Sequence, residues 1–187
     1  MKITDLDALN VIPPTRVFPC RVIAVSSGVA GVALLIKQFI TGGQPAAALL
    51  LLLLVASFTA LRWVRLTVAD PLTQIIAGFL INAGGWLAVM IGLQQGAHWS
   101  VISVGVLMVG AGQGVSAGSL KGFILSPLHR RQKMITAVIS LLSAGVCLVV
   151  EAFSSATEGL HLAVALLIDL SLLGAIYTKI VRDDDQA

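Results

Sequence analysis

Charged residues are scarce in this chain of 187 residues: they make up 11% of it, whereas 57% of its residues are hydrophobic. Soluble domains carry roughly 25% charged and 45–50% apolar residues. The mean hydropathy of +0.97 therefore places the chain among membrane proteins. The net charge of +3 does not indicate nucleic-acid binding, because the basic residues flank apolar runs and form no basic stripe.

Residues that build metal or catalytic sites are few and dispersed. Cys20 and Cys147 are the only two cysteines, which fits neither a disulfide framework nor a clustered metal site. The sequence has no Ser-His-Asp set in plausible proximity. The glycine-rich stretch 110–114 lacks GxGxxG spacing and follows no predicted strand. We therefore expect a protein that is not an enzyme and that binds no cofactor or metal.

Two apolar runs of 22 residues each, 72–93 and 99–120, flank a short uncharged turn at 94–98. A helix needs about 20 apolar residues to cross a bilayer core of about 30 Å, so each run is long enough to span. The same pattern occurs once before and once after this central hairpin. The first hairpin has the apolar runs 22–40 and 45–61, and the third has the runs 134–156 and 160–180.

The sequence thus predicts an all-α membrane protein with six transmembrane helices arranged as three tandem hairpins, over residues 21–66, 72–121 and 134–182. Residues 1–20 are predicted to form a cytoplasmic leader, because prolines at 13, 14 and 19 argue against a long helix. Turns are predicted at 41–45 and 157–159, and residues 183–187 form a solvated acidic tail.

The distribution of lysine and arginine predicts the orientation of these helices. Eleven of the twelve lie in the leader, in the loops 62–71 and 121–133, in the C-terminal segment or at adjoining span ends; Lys37 is the exception. The positive-inside rule therefore predicts that both termini are cytoplasmic and that the three short turns face outward. The sequence also predicts contact with anionic lipid at three basic residues, Arg130, Arg131 and Lys133. The alternative is that their charge only sets the orientation of the helices.

Small residues repeat at the same depth in the first, third and fifth runs. Gly31 and Gly85 lie eleven residues before the turn residues Gly42 and Gly96, and Gly145 lies eleven residues before Ala156, where the third turn begins. The hydropathy and the flanking charges repeat with them, which predicts three like-oriented hairpins packed side by side.

Three motifs carry a family resemblance, one in each hairpin. They are Ser27-Gly28-Val29-Ala30-Gly31 with Gly42-Gly43-Gln44-Pro45, Ile76-Ala77-Gly78-Phe79 with Gly96, and Ala144-Gly145 with Gly159. Over about residues 18–182 the layout resembles the HdeD acid-resistance family of small bacterial inner-membrane proteins, with a proline-centred turn in the first unit alone. The resemblance implies a multi-pass inner-membrane protein that acts in acid or envelope stress, and it brings no catalytic residues.

Three charged residues lie well inside the predicted spans, away from the cytoplasmic span ends: Lys37, Glu151 and Asp169. A charge at mid-span costs roughly 2.5–3.5 kcal/mol on insertion scales, so such residues usually find partners. We expect Lys37 to pair with Glu151, Asp169 or both. The pairing would fix the register of the helices, or it would form part of a proton-sensitive relay or of a polar cavity.

Two histidines each follow a turn glycine by two residues, namely His98 and His161. An unperturbed imidazole titrates near pH 6.5, so outward-facing histidines would become charged in an acidic periplasm. They are candidates for an acid sensor, and the alternative is that they are polar interfacial residues without a role.

A glycine series at a spacing of four, Gly110, Gly114 and Gly118, shares one face of the fourth run. This small-xxx-small pattern predicts close helix packing. It leaves open whether the partner helix belongs to the same chain or to a second copy in a homo-oligomer. Asn82 and Gln113 are buried amides that we expect to form interhelical hydrogen bonds.

Two other functions remain open. The glycine-rich spans and the basic loop also resemble the C-terminal half of a major-facilitator exporter, which predicts a hydrated cavity lined by Asp169, Asn82 and Gln113. Hairpins that all point the same way, however, lack the inverted repeat that many secondary transporters use. The third interpretation is a structural subunit of a larger membrane complex.

Reporter fusions test the predicted orientation. Fusions at residues 43, 96 and 158 should report an extracytoplasmic location, and fusions at 67, 126 and the C-terminus a cytoplasmic one. A cytoplasmic signal from any of the three short turns would contradict the three-hairpin arrangement.

Overall fold

Six α-helices make up almost all of the computed structural model, which describes residues 14–42, 44–64, 70–94, 99–124, 130–153 and 156–186. The helices are α1 (Pro14–Gly42), α2 (Gln44–Val64), α3 (Pro71–Gln94), α4 (Trp99–Ile124), α5 (Arg130–Phe153) and α6 (Ala156–Gln186). No strand occurs in these ranges, so the all-α prediction is confirmed for them.

Five of the described helices are long and apolar enough to cross a membrane, in agreement with a multi-pass membrane protein. The remaining helix, α2, has a shorter described apolar stretch, Ala48–Arg62. Exposed side chains on the outer surface of the bundle are mainly large and aliphatic, such as Leu51, Leu141 and Leu173. Such a surface suits lipid better than water.

Helix α1 begins earlier than the sequence predicted, because Pro14 opens it and Pro19 lies inside it. The expectation that the prolines exclude a helix before residue 21 was therefore wrong. Proline is tolerated in the first turn of a helix, where its missing N–H has no partner to lose. Tertiary packing supports the rest, since Val17 and Cys20 are buried in an apolar cluster with Phe79.

Helix α6 also begins earlier than expected. Residues 157–159, predicted as a turn, form part of its first helical turn. Gly159 explains how the chain can do this, since a Cβ there would lie 2.5 Å from the backbone oxygen of Glu151. Glycine thus lets α6 start directly against α5. The helix continues through Asp183 and Asp184 of the predicted tail, and both are exposed.

Helices α3 and α4 form the closest pair in the bundle, and glycine makes their approach possible. A Cβ on Gly85 would lie 2.6 Å from the backbone nitrogen of Val109, and one on Gly112 would lie 2.5 Å from the carbonyl oxygen of Gly78. The contacting glycines recur every seven residues on each helix, at 78, 85 and 92 and at 105 and 112. Two turns of helix separate them, so each series stays on one face.

Helix α2 packs on another face of α4, at the glycines that the sequence identified. Gly110 lies against Leu53 and Ala56, and Gly114 lies against Ser57 and Ala60. The predicted close packing is confirmed for these two glycines, and the partner helix belongs to the same chain. For Gly118 the packing stays a prediction.

The other helices surround the central pair unevenly. Helix α6 packs mainly on α3, and α1 packs mainly on α5, whereas α1 and α2 contact each other less closely than α3 and α4 do. The repeated glycines differ in the same way. Gly31 lies against Trp86 and Gly85 against Val109, but a Cβ on Gly145 would meet nothing within 4 Å. The three predicted hairpins are thus not equivalent in their packing.

Two glycine-to-alanine variants test the importance of the α3–α4 contact. Gly85→Ala should destabilise the protein by about 1–3 kcal/mol, because the added methyl group meets backbone atoms. Gly145→Ala adds the same atom in open space, and it should be neutral or stabilise by up to about 1 kcal/mol, since alanine favours helix. Thermal unfolding in detergent measures both. Equal effects would contradict this account.

Candidate functional site

One set of polar residues in the bundle interior lies in a layer at the midpoints of five helices. Four of these helices carry apolar core residues on both sides of the layer. In α3, for example, Phe79 belongs to one apolar cluster and Trp86 to the other, with Asn82 between them. We call this set the polar layer: Ser26, Ser27, Asn82, Gln113, Ser140 and Ser171.

Asn82 is the centre of the polar layer, with 1% of its surface exposed. Its amide nitrogen donates to Ser27 Oγ at 2.9 Å and to Ser171 Oγ at 3.1 Å. These bonds connect α3 to α1 and α6, as expected for a buried amide in a membrane helix. The Asn82 oxygen Oδ1 is buried and has no hydrogen-bond partner among the described residues.

Gln113 joins α4 to the same network. With its oxygen turned toward Asn82, the amide of Gln113 accepts from Asn82 Nδ2 at 2.9 Å and from Ser27 Oγ at 3.1 Å. Its nitrogen then donates to the carbonyl oxygen of Ala24 at 3.2 Å. This orientation gives both ends of the amide a partner, which decides the assignment of oxygen and nitrogen. The prediction that Asn82 and Gln113 form interhelical hydrogen bonds is confirmed.

A cavity of about 160 Å³ lies beside the polar layer, between α1, α2, α3 and α4. Its polar lining comes from Ser27, Ser57 and Gln113, and the ring of Trp86 forms part of an apolar wall. The cavity reaches the outer surface of the bundle, because the lining residue Leu54 is 61% exposed. One water occupies about 30 Å³ of liquid, and drug-sized ligands need about 300 Å³ or more. The cavity therefore suits water or a small solute.

Only part of the predicted transporter lining is present in this cavity. Gln113 lines it, and Asn82 contacts Gln113 from behind the wall. Asp169 does not line it, so that part of the prediction was wrong. The reason is the rotation of α6, whose midpoint residue Ser171 faces the core and leaves Asp169 exposed on the outside.

Lys37 and Glu151 form an ion pair, with 3.0 Å between Lys37 Nζ and Glu151 Oε2. The pairing with Glu151, one of the two that the sequence predicted, is thereby confirmed. The Glu151 side chain is 6% exposed and that of Lys37 is 31% exposed. The lysine thus reaches a buried carboxylate while part of its stem stays at the surface. The pair fastens α1 to α5 near the ends of both helices.

Asp169, the third charged residue well inside the predicted spans, takes no part in this ion pair. It is exposed on α6, close to the helix midpoint, and no described residue forms a hydrogen bond or an ion pair with it. The predicted alternative pairing of Lys37 with Asp169 is therefore wrong. A carboxyl group in this position would meet lipid or another protein chain.

The remaining predicted site residues take no part in the polar layer or in the Lys37–Glu151 pair, as far as the structure describes them. His98 lies outside the described residues, and His161 is half-buried in the first turns of α6. Arg130, Arg131 and Lys133, predicted in a loop, lie in the first turn of α5, and their contact with lipid stays a prediction. Cys20 and Cys147 are free and buried. Within the described ranges, no group of three or more His, Cys, Asp or Glu residues could hold a metal.

Sequence reasoning missed the serines of the polar layer and the buried indole. Ser27 and Ser171 hold the Asn82 amide, and Trp86 Nε1 is buried without a hydrogen-bond partner among the described residues. Serine is common in membrane helices, so its identity alone carries little signal. Its position at the helix midpoints, level with Asn82, was the available signal.

Comparisons with known proteins leave the family open. A scan against models of protein families finds no match, and searches of curated proteins and of solved structures find no significant match either.

Charge-removing variants test the contribution of the ion pair. Lys37→Met leaves Glu151 buried without its cation and should cost up to about 3 kcal/mol of stability. Adding Glu151→Gln removes the buried charge that has lost Lys37, so the double variant should be more stable than Lys37→Met alone. Thermal unfolding of the purified protein measures the difference.

The exposed pair Arg182–Asp183, with 3.6 Å between its charged atoms, is the control for this experiment. Asp183→Asn should change stability by less than about 1 kcal/mol, because water screens an exposed pair. A double variant that loses the full sum of the two single effects would show that Lys37 and Glu151 do not stabilise each other.

Proposed function

We propose that this protein is a non-enzymatic, multi-pass component of the bacterial inner membrane that contributes to resistance against acid or envelope stress. In this proposal six helices span the bilayer as three hairpins with both termini in the cytoplasm. The composition, the five helices that could cross a membrane and the resemblance to the HdeD layout support it. The arginines and the lysine at 130, 131 and 133 would then face anionic lipid.

The observation that carries the proposal is the position of Asp169. A charged carboxylate near the middle of a spanning helix costs roughly 2.5–3.5 kcal/mol on insertion scales. The exposed neighbours of Asp169 on α6 are Leu166, Leu172 and Leu173, which offer no compensating charge. An ionisable group inside a spanning segment is usually retained for a functional role, and a protein that acts in acid stress would have a use for it.

A small transporter is the second candidate, and the cavity beside Gln113 is the observation that favours it. The cavity lies at the helix midpoints and borders hydrogen-bonding groups of Ser27 and Gln113. Its volume of about 160 Å³ limits any guest to a small molecule.

Survival of a strain that lacks the gene tests the proposal, measured at low pH and in the presence of common toxic compounds. We expect poor survival at low pH, rescued by the wild-type protein and by the control Asp183→Asn. Asp169→Asn should rescue less well, because the amide cannot take up or release a proton. Sensitivity to toxic compounds without acid sensitivity would support the transporter instead. Full rescue by Asp169→Asn would remove Asp169 from the mechanism.

A further inference from the structure

Exposed residues on α6 follow a regular pattern around Asp169. The apolar members are between 39% and 58% exposed. They follow one another at alternating intervals of four and three residues, with Asp169 in the middle of the series. We call this set the Asp169 face: Leu162, Leu166, Asp169, Leu173, Ile176 and Ile180.

The spacing of the Asp169 face is that of a coiled-coil seam. Alternating intervals of four and three repeat every seven residues, which is the a and d pattern of helices that pack along their whole length. Residues that face lipid from one side of any helix recur at the same intervals, so Asp169 within the series, and not the spacing, is what indicates a partner. The opposite side of α6 is already occupied, since Ser171 binds Asn82 and Gly174 lies against Phe79. The face is therefore available for a further helix.

The carboxyl group of Asp169 indicates what kind of helix this is. Within the described part of the chain it has no hydrogen-bond or ion-pair partner, and the intramembrane cation Lys37 is bound to Glu151. Lipid chains offer it no hydrogen bond. A helix that covers the face must therefore present a polar group at the depth of Asp169.

A second copy of the chain meets this requirement by symmetry. All copies insert into the membrane in the same orientation, so the two-fold axis of a dimer is normal to the bilayer and each residue meets its own counterpart at equal depth. A protonated carboxyl group both donates and accepts hydrogen bonds, so it is complementary to a second carboxyl group. Asp169 of one copy can therefore be the hydrogen-bond partner of Asp169 in the other.

We propose that the Asp169 face is a homodimer interface, in which the α6 helices of two copies pack in parallel and their Asp169 carboxyl groups hydrogen-bond to each other. Such a bond requires a proton on at least one of the two carboxyl groups, which that group donates to an oxygen of the other. This interface is independent of the stress role, because it concerns assembly in any membrane that contains the protein.

Cysteine cross-linking in native membranes tests the interface with the full chain. Leu166→Cys, Asp169→Cys and Leu173→Cys should each form a disulfide-linked dimer under mild oxidation, since equivalent seam residues face each other in a parallel pair. Leu141→Cys is the matched control, because Leu141 is 68% exposed near the midpoint of α5 but lies outside the face. The wild-type chain is the blank, since Cys20 and Cys147 are buried.

A second measurement isolates the carboxyl group. In lipid vesicles, Asp169→Leu should weaken dimerisation about three- to thirty-fold, which corresponds to one interhelical hydrogen bond in a membrane. Asp169→Asn should retain most of the affinity, because the amide also donates and accepts. The Leu166→Cys and Leu173→Cys arms keep Asp169 intact, so they decide the question even if Asp169→Leu does not fold.

The cross-linking and association results together decide whether the Asp169 face is a dimer interface. Cross-links at the three seam positions and not at Leu141→Cys, together with weaker association of Asp169→Leu, support the interface. Absent cross-links, or equal cross-links at Leu141→Cys, overturn it and leave Asp169 facing lipid or another protein. Unchanged association of Asp169→Leu overturns the role of the carboxyl group.

Discussion

The hydrogen bonds of the Asn82 side chain are the constraint on which the arrangement of this bundle depends. An amide in an apolar interior must find partners on neighbouring helices, because neither lipid nor aliphatic side chains can supply them. The Asn82 nitrogen lies within hydrogen-bond distance of oxygens on α1, α4 and α6, those of Ser27, Gln113 and Ser171, and shares its two N–H groups among them. Sliding or rotating any of these helices would leave a buried polar group unsatisfied, so the layer selects one register.

Glycine makes this register possible. Helices in a membrane gain little from the hydrophobic effect when they associate, so close van der Waals packing must do more of the work. Gly85 and Gly112 let the backbones of α3 and α4 approach until a Cβ would meet backbone atoms, and Gly110 and Gly114 do the same for α2. The tight α2–α3–α4 group then forms a platform, on which α1 and α6 are held by the polar layer.

Hydropathy predicted the helices because crossing a bilayer is a property of one segment at a time. The Lys37–Glu151 pair was also predictable, since charges within apolar runs are so rare that few partners exist. The helical path through Pro19 was not, because its cost is offset by the burial of Val17 and Cys20 against other helices. The outward position of Asp169 depends on the rotation of α6, which the contacts of Ser171 decide. Such features arise between segments, so no single stretch of sequence contains them.

Some polar groups of the bundle have partners on other helices and some have none among the described residues. The second group indicates where function should be sought. Lys37, Glu151 and Gln113 are satisfied by other helices, so their chemistry is already used in holding the structure together. Asp169 has no described partner, and Trp86 Nε1 is buried beside a cavity without one. Unsatisfied polar groups are costly in an apolar medium, and proteins usually retain them where a partner, a proton or a ligand completes them. In the part of the chain that the structure describes, the outer face of α6 and the cavity beside Gln113 are therefore two places where a binding partner or a ligand should be sought.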